Sequence, residues 1–179
     1  MVLAESETLG MKHDRTLLEE LRRLYLREIA TLERELDLYP DEASLWQQLP
    51  GLPNSGGTLL LHLAGSLQHF FGATLGGTGY VRDRAAEFAK RDLPRNELER
   101  ELSSARQGVL AGFANLTEQH LTQTFPVVFA DEAFSTRLTL LQFSSHLAYH
   151  LGQIDYHRRA VTGDRTSANA SAASHLEQQ

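Results

Sequence analysis

Residues 55–75, SGGTLLLHLAGSLQHFFGATL, are apolar nearly all round at helical spacing. A helix with no polar face has to be surrounded by other elements, so this one is expected at the centre of the molecule, starting near Ser55 or Thr58. The rest of the chain supplies the surroundings. From about Thr8 to Tyr39, Leu18, Leu21, Tyr25, Ile29, Leu32 and Leu36 recur at threes and fours between charged residues, and Pro40 closes that helix. Residues 41–49 fit a short helical turn, followed by a Pro- and Gly-rich loop. A third helix starts near Pro94 and carries the stripe Leu98, Leu102, Ala105, Val109, Phe113 and Leu116. A fourth runs from about Ser135 to Val161.

Strand signals are scarce. Residues 122–134 hold β-branched and aromatic residues around a polar Asp131–Glu132 turn, which fits a short hairpin or extended loop before the last helix. Four long helical segments in a chain of 179 residues point to an all-α four-helix bundle, with a long link between helices 2 and 3. The expected domain is 8–163. The small, polar run 164–179 reads as a disordered tail.

Composition removes several functions. A formal charge of -6 disfavours general nucleic-acid binding, which needs a concentrated basic surface. No apolar run approaches the roughly 20 residues of a bilayer span, and the first residues lack the pattern of a signal peptide, so a cytoplasmic protein without membrane contact is expected. With no cysteine there is neither a disulfide nor a thiolate ligand, and any metal must be held by nitrogen and oxygen.

The chemistry concentrates in SSHLAYHLGQIDYH, residues 144–157, which carries three of the eight histidines. His146 and His150 are four apart, one turn of helix on one face, the spacing with which two imidazoles grip one ion. The Glu of an H-E-x-x-H zinc motif is absent. A third imidazole is available from His62, in the middle of the apolar helix, where an unpartnered ring would be costly. Three neutral nitrogens suit a divalent transition metal, zinc or nickel first and manganese or iron next, and leave positions open for water or substrate. Water on such an ion reaches a pKa of about 7, and a thiol cofactor would be bound as thiolate.

Other residues have two readings each. Gln153, one turn after His150, is placed to orient a ligand ring or a water. His69 and His157 lie about two turns from a ligand, too far to share its ion, and are either acid–base groups lining the pocket or hydrogen-bonded structural histidines. Tyr80, Arg82 and Arg84, in the link GGTGYVRDRAAEF, are candidates for an anion clamp on substrate, or surface groups paired with Asp83 or Glu87. No carboxylate stands out beside the histidines as a general base, since Asp155 falls on another face.

The pairing of HLAGSLQHF with HLAYHLGQIDYHRR resembles the DinB/YfiT-like metalloenzymes, over essentially residues 8–163. The resemblance implies a four-helix bundle with His62, His146 and His150 as metal ligands and, commonly, a homodimer. It also implies a small-molecule substrate, with low-molecular-weight thiols serving S-transferases and isomerases of the group. The expected function is therefore a metal-dependent enzyme, a thiol-dependent transferase or a hydrolase. The rival is a non-catalytic bundle that binds metal or ligand in stress response or assembly.

Overall fold

A computed structural model describes residues 16–176. Among them there is no strand, and the chain is all-α. Helix α1 (Leu17–Asp37) opens on a capping box in which the Thr16 hydroxyl accepts from the Glu19 amide and the Glu19 carboxylate accepts from the Thr16 amide. The expected stretch 8–15 lies outside the described residues. Short α2 (Glu42–Trp46) follows, capped by Asp41. Helix α3 (Gly56–Leu67) is capped by Ser55 and is buried at every residue, as its unbroken apolar surface requires. It continues as a π-helical segment over Gln68–Leu75.

The long link then contains a helix of its own, α4 (Arg84–Ala89), before α5 (Arg95–Ala114) and α6 (Thr136–Thr162). Pro94 sits just outside α5 as its N-cap, and Ser135 caps α6. The four long helices pack in pairs, α1 against α5 and α6, and α3 against the same two. Tyr25 of α1, Phe71 of the π segment and Phe113 of α5 form one aromatic cluster, with ring centroids 4.6–5.8 Å apart. Each such ring, and each buried Leu of this core, contributes about 1.5–3 kcal/mol by leaving water. Gly72 lets the π segment approach α5 closely, since a Cβ there would stand 3.3 Å from the Cα of Gly108.

The segment before α6 is an irregular hairpin rather than a pair of strands. Two isolated antiparallel bridges, Thr124 to Ser135 and Phe129 to Glu132, differ in register. Ala130 and Asp131 both have positive φ, as a two-residue turn with Phe129 and Glu132 exchanging backbone hydrogen bonds demands.

Of the expected tail, residues 164–176 are described and lie along α1 and α6. Arginines capture the tail's carbonyls: Arg34 donates to Ala168 (2.9 Å), Arg158 to Thr166 (2.8 Å) and Arg23 to Leu176 (3.0 Å), while Ala168 is buried. A side chain adds to these backbone contacts, with His175 Nδ1 3.3 Å from Arg34 Nη2. Among the described residues no helix is long and apolar enough to cross a membrane.

Candidate metal centre

Helices α3 and α6 meet along a seam where His62 projects towards His146 and His150. One ligand atom from each of the three lies within 4.8 Å of the others. The Nε2 atoms of His62 and His146 are 3.3 Å apart, and the rings stand nearly perpendicular, at 86–89°.

Hydrogen bonds fix which nitrogens carry protons. The Nδ1–H of His62 donates to Glu87 Oε2 at 3.0 Å, which leaves its Nε2 with a lone pair. The Nδ1–H of His150 donates to Gln153 Oε1 at 2.7 Å, with the same result. Burial holds the His146 imidazolium off, with help from the neighbouring His150, His62 and the two arginines, and brings its pKa down to about 4. His150 is lowered as well, chiefly by burial. At neutral pH His146 and His150 are therefore neutral donors.

That donor set fits a divalent transition ion. Ligand nitrogens 2.0–2.1 Å from a tetrahedral ion lie about 3.3 Å from one another, the separation already present between His62 and His146.

Glu87 is the residue the sequence did not reveal. It was legible only as an ion-pair partner for the arginines of the link. In the structure α4 brings its carboxylate, buried, onto His62, contrary to the expectation that no carboxylate stands beside the histidines. Room for it comes from Gly65, where a Cβ would collide with that carboxylate; a glycine one turn past His62 was the available signal. Arg82 grips the same group with two N–H donors, Nε to Oε1 at 2.7 Å and Nη2 to Oε2 at 2.9 Å. Burial alone would raise the Glu87 pKa, but the hydrogen bonds from His62 and Arg82 and the Arg82 charge carry it below the usual carboxylate range.

The histidines open onto a cleft of about 680 Å³, whose wall includes Phe70, Phe88, Phe129 and Phe143. Arg82 and Arg84 both line it. Tyr80 does not; it faces a separate groove between the π segment and α5. His69 is also left out, since the wider π turn advances each residue by a smaller angle and presents Phe70 to the cleft in its place. His157 is a structural histidine, 1% exposed, with Nδ1 2.8 Å from the Tyr39 hydroxyl and Nε2 2.8 Å from the Gln47 carbonyl. Asp155 is engaged with Arg158 and Arg159, away from the site.

Comparison with curated proteins and with solved structures gave no match. A protein-family comparison did, over residues 12–170, so that α3, α4 and α6 and every residue of the centre fall within the match. The chain belongs to the family described as "Protein of unknown function (DUF1572)".

Proposed function

We propose that this chain is a DinB-like metal-dependent enzyme, a four-helix bundle in which His62, His146 and His150 hold one divalent transition ion beside a cleft for a small molecule. The observation that carries the reading is the convergence of three imidazoles on one point, two of them with the far nitrogen already committed to Glu87 or Gln153. Such partners orient a ligand ring and make it more basic. The pairwise packing of α1, α3, α5 and α6 supports the bundle.

A bound ion would supply a Lewis acid that lowers the pKa of a coordinated thiol or water. The chain's own residues favour the thiol. Among the described residues no carboxylate lines the cleft, and both oxygens of Glu87 are occupied by His62 and Arg82, so Glu87 holds His62 in place and is not free to take a proton from water. A thiol brings its own nucleophile and needs only to be deprotonated and oriented. The phenylalanine wall gives the cleft an apolar lining beside the histidines, and Arg82 keeps Glu87 ionised.

The test is metal content of untagged protein, wild type and His150→Ala. The expected result is about one zinc, nickel, manganese or iron per chain, lost in the variant, as a three-nitrogen site predicts. Wild-type protein that holds no metal and takes none up from added salts overturns the proposal. Replacing the ion with cobalt then separates enzyme from passive binder: a thiol-dependent change in the cobalt spectrum supports thiol activation, and its absence favours a non-catalytic role.

A further inference from the structure

The cleft beside the histidines is apolar along its length and charged at one edge. Phe70 and Phe143 stack at 4.3 Å, and Phe129 closes on both at 5.7 and 6.0 Å. This is a packed aromatic surface, and its volume of about 680 Å³ is that of a site for a small organic molecule.

Two guanidinium groups border it, and they are not equivalent. Arg82 is neutralised by Glu87, which it grips with both donors. Arg84 makes no ion pair or side-chain hydrogen bond among the described residues; its Cζ lies 5.1 Å from the centre of the Phe88 ring. Among the described residues no Asp or Glu lines the cleft to compete for Arg84. Arg82, Glu87 and Arg84 together leave one positive charge without an ion-pair partner among the described residues, beside the Phe88 ring of the aromatic wall. A single planar guanidinium matches a carboxylate with two parallel N–H bonds, whereas a phosphate dianion calls for more charge than this edge offers. Phe88 also packs on His62, at 4.8 Å between ring centres, so Arg84 and the three histidines line one cleft with Phe88 between Arg84 and His62.

We infer that the cleft takes an amphipathic carboxylate, its aromatic or alkyl body laid on Phe70, Phe129 and Phe143 and its carboxylate paired with Arg84. The inference rests on the proposed metal enzyme only in treating this molecule as the substrate; the binding itself depends on Arg84 and the phenylalanines.

The experiment is calorimetric binding of phenylbutyrate, phenylbutanol and butyrate to the full chain, before and after treatment with a chelator. Phenylbutyrate is expected to bind at least about tenfold more tightly than the alcohol, the worth of one charge-assisted pair, with butyrate weaker than phenylbutyrate for want of the ring. Arg84→Ala should erase the preference for acid over alcohol, and Arg84→Lys should retain part of it. Arg84 is exposed, so both variants keep the fold, which an unchanged melting temperature verifies. Phe129→Ala should weaken acid and alcohol alike. Equal binding of acid and alcohol overturns the inference, as does a preference that survives Arg84→Ala. A preference that vanishes with the chelator also overturns it, because a metal would then be reading the carboxylate. If the protein holds no metal and the Arg84-dependent preference persists, the metal proposal falls and this one stands.

Discussion

Helix α6 carries two kinds of histidine two turns apart. His157 has both ring nitrogens committed, one to the Tyr39 hydroxyl and one to the Gln47 carbonyl, and it is followed by Arg158, fully buried in an ion pair with a fully buried Glu35. His146 and His150 turn nitrogens towards each other and towards His62, and the space in front of them is a cleft. Sequence spacing sets His157 too far along to share the ion of His146 and His150, but leaves open whether it is a strut or an acid–base group. What separates them is whether a lone pair already has a protein partner: where it does the ring is a strut, and where several lone pairs face one point the protein has left work for something from outside.

The strut end should fail first. Arg158→Ala leaves Glu35 as an uncompensated buried charge and is expected to cost about 3–5 kcal/mol in urea unfolding; a loss under about 1 kcal/mol would remove that end from the list of structural elements. Next in size is the contrast between His157→Ala and His150→Ala in metal-stripped protein. The first leaves the Tyr39 hydroxyl only the Ile154 carbonyl, removes the donor to the Gln47 carbonyl and opens a cavity, a cost of about 2–3 kcal/mol. The second removes a ring that faces the cleft and should stay within about 0.5 kcal/mol of wild type. Equal losses would erase the distinction between the two ends.

Glu87→Gln sharpens it from the other side. The amide keeps the shape but supplies a weaker, uncharged acceptor for His62 Nδ1–H, so metal affinity should fall by about 10–100-fold in a competition titration. Unchanged affinity would make Glu87 a packing residue and no more.

The smallest effect is the pH dependence of the metal-free protein. In the unfolded chain His146 takes up its proton near the ordinary value of 6.5, while the folded chain holds it off to about 4. Between those values the unfolded state binds more protons, so stability is complete above about pH 7 and declines as pH falls towards 4. His150 and His157, also lowered, add the same sign. Urea midpoints at a series of pH values should show this slope, and His146→Ala should flatten part of it; a slope unaltered in that variant assigns the effect to the struts.

The helices and the three converging histidines were legible because both are periodic. Apolar residues at threes and fours mark the buried faces, and His146 and His150 share a face by spacing alone. His62 stood out as the one imidazole in the middle of an apolar helix. Glu87 did not, because its role depends on two facts far apart in sequence, the missing side chain at Gly65 and the return of α4 onto α3. His69 falls outside the cleft because local spacing assumes a regular helix and the π segment changes the phase where it sits, while Tyr80 lies in an irregular link whose path no periodicity sets. The tail's contacts with α1 and α6 run largely through backbone carbonyls, on which side-chain composition has little bearing.

His146 and His150 ride together on one rigid helix, while His62 arrives on another, 84 residues earlier in the chain than His146. An ion bound by all three would therefore be a removable cross-link closing a loop of that length. By the arithmetic that applies to any loop closure, tying off so long a segment takes more entropy from the unfolded chain than a short clip would. Loading and stripping the ion would thus set the mechanical coupling between α3 and α6, giving a protein without a single cysteine a reversible counterpart of a disulfide.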